Sequence, residues 1–278
     1  MTESFASKAV IVTGAGRGIG KEVAMAFAAA GANVMLGART LSYAEETKRE
    51  IEAAGGRALI FGIDVKDHGA CRALVDATVR DFGGVDVIVH SAADIPHGGL
   101  GQVSDEAFEA GFASIVKAAW WLLDAARPHL SKARDGGRFV AIGSVAGVHT
   151  VVPNMTVYGM AKAALDAFVR GAAADVVSEN ITVNAVNPGL IDSARSRAVL
   201  GDEGLQAYGA TVPVGRVGTG AEVAHACLFL ASANSGFITG SSLKMDGGST
   251  IAPAAGRSGV MQERLKAAQS LQAQGLGQ

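Results

Sequence analysis

Ala9-Val-Ile-Val12, running into Thr13-Gly-Ala-Gly-Arg-Gly-Ile-Gly20, is the stretch that decides the fold. The four apolar residues are a run of the length and character of a buried strand, and from Gly20 to residue 30 the apolar spacing becomes helical. Between the two, glycines let the backbone turn sharply. A helix that opens behind such a turn presents unpaired N–H groups to an anion, and side-chain-free glycines let a pyrophosphate approach the main chain. Glycine-rich turns also occur as purely structural loops. Placement directly after the first strand favours the dinucleotide reading.

Outward from this loop the same alternation continues. Short apolar runs at 34–36, 58–60, 85–89, 139–142 and 182–186 read as strands buried on both faces. Segments with helical spacing lie between them, at 43–54, 69–82, 108–130 and 156–178, and a last unit pairs 222–231 with 242–245. Strand–helix repetition with short connections predicts an α/β fold: a single doubly wound Rossmann-type domain, its parallel sheet covered by helices on both faces. The domain spans residues 1–250, and 251–278 form a C-terminal extension. Within and just before that extension, 249–259 reads as an extended connection. Residues 260–274 read as a thinly striped helix that either docks on a neighbouring subunit or the substrate cleft, or frays.

With 49% hydrophobic and only 18% charged residues the chain has ample material for a core, which excludes a disordered protein. A net charge of −2 gives no basic footprint, so no nucleic-acid or membrane-surface partner is expected. Cys71 and Cys227 sit in helix-like stretches without metal or redox spacing, so both read as core residues and no metal is expected. Residues 1–8 lack the charged-then-apolar layout of a signal peptide, and no uncharged apolar run reaches the roughly 18 residues of a membrane span. A cytoplasmic protein follows as the expectation.

Further motifs follow in order. They are Ile142-Gly-Ser-Val-Ala-Gly147, Tyr158-Gly-Met-Ala-Lys162, Asn187-Pro-Gly189, Pro213-Val-Gly-Arg216 and Asp246-Gly-Gly248. With the glycine loop, they resemble the short-chain dehydrogenase/reductase family over about residues 5–250. The resemblance implies catalysis by Ser144, Tyr158 and Lys162. It also implies a nicotinamide dinucleotide site drawn from Gly14, Arg17, Gly18, Ile19, Gly20, Arg39, Asp64, Val65, His90, Ala92, Tyr158, Lys162, Pro188, Gly189 and Ile191. A homodimer or homotetramer, built on the helices at 108–130 and 156–178, is implied as well.

The residue types suit that chemistry. Tyr158 and Lys162 are four apart and share a helix face. A free phenol has a pKa of about 10; lowering it by two to three pH units, by a nearby ammonium and an oxidised nicotinamide, corresponds to roughly 3–4 kcal/mol. Tyr158 would take a proton from an alcohol or give one to a carbonyl oxygen, with Ser144 polarising the same oxygen. Ser144 lies 14 residues before Tyr158, one more than is frequent in the family, which the intervening loop can absorb.

Two departures stand out. The family's Asn-Asn-Ala-Gly is His90-Ser-Ala-Ala93 here, and His90 reads more readily as a satisfied histidine at a strand end than as a proton-transfer group. Ile115, with Ser114 beside it, stands where a catalytic asparagine is usual. They favour a rival reading, a dinucleotide-binding scaffold or sensor with little turnover; intact Ser144, Tyr158 and Lys162 oppose it.

After the second strand, Ala38 occupies the position of the acidic residue that selects NAD, and Arg39 follows. A guanidinium fork matches a 2′-phosphate, so NADP(H) is favoured over NAD(H), with Arg17 as a second cation; Arg39 as a solvated loop residue is the alternative. The substrate walls would come from 94–100, 145–155 and 190–212. Val145, Val148, Val151, Val152, Met155 and Leu190 offer an apolar lining; Asp94, His97, His149 and Asn154 offer polar handles. The substrate expected is an apolar small-molecule alcohol or ketone. Trp120 and Trp121 read as core or interface residues.

Overall fold

Seven strands lie side by side in a computed structural model that describes residues 5–252. They are β1 (Ala9–Thr13), β2 (Asn33–Ala38), β3 (Arg57–Gly62), β4 (Val87–His90), β5 (Gly137–Ile142), β6 (Ile181–Pro188) and, last along the chain, β9 (Ser242–Met245). All pair in parallel, in the order β3-β2-β1-β4-β5-β6-β9. The winding reverses between β1 and β4. In an open parallel sheet, ligands bind outside the carboxyl ends of the strands at that reversal.

Strand alternation divides the core in two. Ile11, Met35, Ile88, Phe139 and Val183 face α3 (His68–Phe82), α5 (Ala118–Leu130) and α6 (Thr156–Val176). Val10, Val12, Val34, Leu36, Val89 and Val140 point the other way. They meet α1 (Gly18–Ala29), Ile51 of α2 (Leu41–Ala53) and α8 (Gly220–Ala231). Cys71 and Cys227 are buried free thiols, pushed up by burial, Cys71 to about 12.

The helix expected at 108–130 is longer and broken. α4 (Asp105–Phe112) starts three residues early because Ser104 caps it, accepting from Ala107 N at 3.3 Å, with Asp105 and Glu106 in its positive first turn. A π-helical turn, Ala113–Lys117, then joins α4 to α5. The segment 190–212 also departs from a plain loop. It holds β7 (Ile191–Asp192), paired with β8 (Gly218–Thr219), and α7 (Ala194–Thr211), kinked at Gly201. Ser193 and Ser196 close a capping box that starts α7. Residues 249–252 turn back on Gly248 rather than extend, with Ile251 N and Ala252 N donating to its carbonyl at 3.1 and 2.9 Å. The helix expected at 260–274 lies outside the described residues. Among those described, no helix is long and apolar enough to cross a membrane.

Candidate active site

Strand register brings Thr13, His90 and Ala141 into one row at the carboxyl end of the sheet, with Ala185 next. The glycine loop leaves this row over β1. Gly14 has φ +70°, and a Cβ there would meet the Ala92 backbone at 3.0 Å; a Cβ on Gly20 would lie 2.3 Å from the Gly14 carbonyl oxygen. Both positions therefore demand glycine. No side chain caps α1, and no acidic residue occupies its first turn, so its leading N–H groups and dipole are free to meet an anion. A cradle that only glycine can line, ending on an uncapped helix, fits a dinucleotide pyrophosphate. Arg17 precedes α1 with its guanidinium 5.6 Å from the centre of the Tyr43 ring.

At the adenosine end, Ala38 is buried and Arg39 exposed. No carboxylate adjoins Arg39 in sequence, yet the fold brings one: Asp94 accepts from Arg39 Nη1 at 3.4 Å and from Lys66 Nζ at 2.9 Å. Lys66 Nζ also lies 3.6 Å from the Asp64 carboxylate, so two cations and two anions meet here, where the expectation held Arg39 with Arg17 as a second cation. Val65 is buried beside Asp64, whose carboxylate accepts from Lys66 N at 3.1 Å.

Opposite the loop, Ser144 follows β5 by two residues and is buried. Its hydroxyl accepts from Ala146 N at 3.1 Å and, acting on the Tyr158 phenol, favours its ionised form. The close packing that permits this is set by glycines: a Cβ on Gly147 would fall 1.9 Å from the Gly159 carbonyl oxygen, one residue beyond Tyr158. Lys162, buried one turn along α6, donates from Nζ to the Ile142 carbonyl at 2.7 Å and lies 5.6 Å from the Tyr158 ring centre. Burial lowers Lys162 to about 7. Burial also raises the Tyr158 phenol, against the opposing effects of the Ser144 hydrogen bond and the Arg195 charge. In the chain by itself, then, the phenol is shifted up rather than down, because burial outweighs the effects that oppose it.

Both ring nitrogens of the buried His90 are engaged within the protein. Its Nε2 lies 3.0 Å from the Ser114 carbonyl, which can only accept, so Nε2 carries the proton. Nδ1 is then an acceptor, 2.9 Å from the Thr13 hydroxyl that donates to it. The same hydroxyl accepts from Ser91 N and Ala92 N at 3.2 and 3.3 Å. Burial, and secondarily the Lys162 charge, hold the imidazole down at about 4, so it is neutral. The imidazole thus clamps β1, β4 and the π-helical turn together. Ile115 packs wholly in the core beside it.

Pro188 ends β6, Gly189 follows it, and Ile191 opens β7. Val145 N donates to the Pro188 carbonyl at 3.0 Å and Gly189 N to that of Met245 at 2.8 Å. The Asp246 carboxylate accepts from Gly248 N and Thr250 N at 2.9 Å each, and a Cβ on Gly189 would meet Asp246 at 3.2 Å, so the Asp246-Gly-Gly248 motif supports that turn from beneath. Pro213 and Val214 pack on Gly248 and Gly247. Of the expected walls, Val145 is buried while Val151 and Val152 are exposed. Trp121 stacks on His68 at 5.2 Å, and Trp120 is exposed on α5 against Phe168. Sequence reasoning missed Arg195: it belongs to no motif, and only the fold carries it to the cleft.

Comparison with known proteins agrees with this geometry. Residues 14–250 match the family described as Enoyl-(Acyl carrier protein) reductase. An oxidoreductase of Thermotoga maritima is 38% identical over 253 residues, 89% of this chain and 99% of that protein. Elsinochrome reductase 1 of Elsinoe fawcettii is 35% identical, over 88% of this chain and 96% of its own. Among solved structures, a 7 alpha-hydroxysteroid dehydrogenase complexed with NADH and 7-oxo glycochenodeoxycholic acid superposes with a TM-score of 0.83. It is 31% identical and covers 88% of this chain and 95% of its own.

Proposed function

The chain belongs to the short-chain dehydrogenase/reductase family, and from that we propose that it is an NADP(H)-dependent oxidoreductase interconverting a ketone and a secondary alcohol on an apolar small molecule. The observation that carries the reading is the Ser144–Tyr158–Lys162 group, assembled at the carboxyl end of β5 across from a glycine-only phosphate cradle. The nicotinamide, when bound, supplies or takes the hydride.

The residues divide the remaining work. Tyr158 stays protonated at neutral pH because burial raises its phenol, which suits it to donate to a carbonyl oxygen. Ser144 hydrogen-bonds the same oxygen and stabilises the charge that develops there. Lys162, fixed by the Ile142 carbonyl, holds the base of α6 and offers a nearby proton at a pKa of about 7. Gly14, Gly18, Ile19 and Gly20 cradle the pyrophosphate, Ala92, Pro188, Gly189 and Ile191 border the ribose and nicotinamide, and Asp64 with Val65 receives adenine. Ala38 in place of an acidic residue, with the exposed Arg39 guanidinium after it, supports a 2′-phosphate over a bare ribose. Exposed Trp120 and Met160 on α5 and α6 support assembly as a homodimer or homotetramer.

The test follows 340-nm absorbance with NADPH and NADH against a panel of ketones. Expected are tighter binding of NADPH than of NADH and a fall in turnover of at least about a hundredfold in Tyr158→Phe. Cofactor dissociation constants should barely change in that variant. Near-normal turnover by the phenylalanine variant would sink the mechanism.

A further inference from the structure

Three segments frame the substrate side of the cleft. The first, around His97 and Gly98, is tied down by Gly98 N donating to the Asn154 carbonyl at 2.8 Å and by a bridge to Met155, three residues before Tyr158. The second is that Asn154–Met155 stretch itself. The third is the start of α7, where the capping box and the Ser196 hydroxyl, bonded to the Ile191 carbonyl at 2.8 Å, fix the backbone around Arg195. Arg195 Nη2 lies 3.2 Å from His97 Nε2, so the two side chains span the opening between the first and third segments.

The charge balance there is uneven. Arg197, two residues on, is neutralised by Asp192 at 2.6 Å and by Asp202. Arg195 pairs with no carboxylate among the described residues; its partner is an imidazole nitrogen, which accepts because a guanidinium can only donate. The Arg195 charge also acts on the Tyr158 phenol, opposing the effect of burial. Close to these three segments along the chain stand exposed apolar side chains: Leu100 is 97% exposed and Val151 88%, with Val152, Val199 and Leu200 also exposed.

A reactive hydroxyl at the floor, apolar side chains at the rim and one uncompensated cation between them describe a ligand with the same three parts. We infer that the substrate is an apolar ketone or secondary alcohol carrying one oxyanionic group, which Arg195, braced by His97, anchors at the mouth of the cleft. This rests on the proposed oxidoreductase function and narrows its substrate class. A planar guanidinium binds a carboxylate or phosphate through paired N–H donors. Being exposed, the contact is weakened by salt.

The test compares three ketones of one chain length, ended by methyl, carboxylate or phosphate, with NADPH as reductant, in wild type and Arg195→Gln. Expected is a kcat/KM at least about tenfold higher for a charged ketone than for the neutral one, carried mainly by KM, reduced by added salt and abolished in Arg195→Gln. Which charged end is favoured identifies the oxyanion. Equal or poorer use of both charged ketones overturns the inference and leaves the oxidoreductase reading standing; so does a preference that survives Arg195→Gln. If no ketone of any panel is reduced, the oxidoreductase reading fails, and binding decides this one. Saturable binding of hexanoate or hexyl phosphate, but not hexanol, by wild type and not by Arg195→Gln would uphold it; its absence would overturn it.

Discussion

The two halves of the cleft are built from different material. On the β1 side the walls are main chain: Gly14 and Gly20 approach other backbone so closely that a single methyl group would collide at 3.0 and 2.3 Å. On the far side the walls are side chains such as Leu100, Val151 and Arg195, standing in solvent on loops and at a helix start. A site made of backbone is fixed by the fold itself. One made of exposed side chains can change without disturbing the core, which is how one scaffold serves many substrates.

The sharpest way to break this contrast is to put a side chain where the backbone forms the site. Gly20→Ala places its methyl against the Gly14 carbonyl. Overpacking of this kind costs about 1–3 kcal/mol of stability, and NADPH affinity should fall at least about tenfold, roughly 1.4 kcal/mol. Calorimetric titration and thermal melting would measure both, and an alanine variant with wild-type affinity would show the loop to be adaptable.

A smaller effect comes from between the halves. Lys162 titrates near 10.5 when unfolded and near 7 when buried in the fold. Between those values the unfolded chain binds the extra proton, so stability should rise with pH across that window and level off above it. The melting temperature of wild type minus that of Lys162→Met should therefore climb from pH 7 to pH 9.5 (about the practical limit). Parallel melting curves would mean that Lys162 is not desolvated as described.

The smallest effect belongs to the far side. Val151→Ser should leave stability within about 0.5 kcal/mol and NADPH affinity unchanged, while KM for an apolar ketone rises a fewfold. A loss of cofactor binding in this variant would erase the distinction between the halves.

The same difference governs what could be read from the chain. Continuous apolar runs announced six of the seven main strands and the last helix–strand unit the seventh, at 242–245, because burial on both faces and close backbone contacts dictate residue type. Ser144, Tyr158 and Lys162 were legible through their fixed order and spacing. The helix α7 was not: of its residues only Ser196, Leu205 and Gly209 are buried, so it has no apolar stripe to betray it. Nor was the Asp94 partnership with Arg39 and Lys66, which joins residues 55 and 28 positions apart. His90 could be read as a satisfied histidine, but not its partners, since the π-helical turn that offers the Ser114 carbonyl has no sequence signature.

Ser114 has a second consequence. Its hydroxyl accepts from Asp94 N at 2.9 Å and donates to the Gly111 carbonyl at 3.2 Å, so one side chain pins both ends of the excursion that carries His97 and Leu100. Its carbonyl meanwhile fastens that pinning point to His90 and, through it, to the end of β1. A chain segment closed at its base in this way is a cassette. Its length and content can be exchanged while its entry and exit stay put, and doubling a loop costs only about 0.6 kcal/mol in closure entropy. Inheritance could thus swap the excursion from one lineage to another as a unit, with a single hydroxyl serving as the seam.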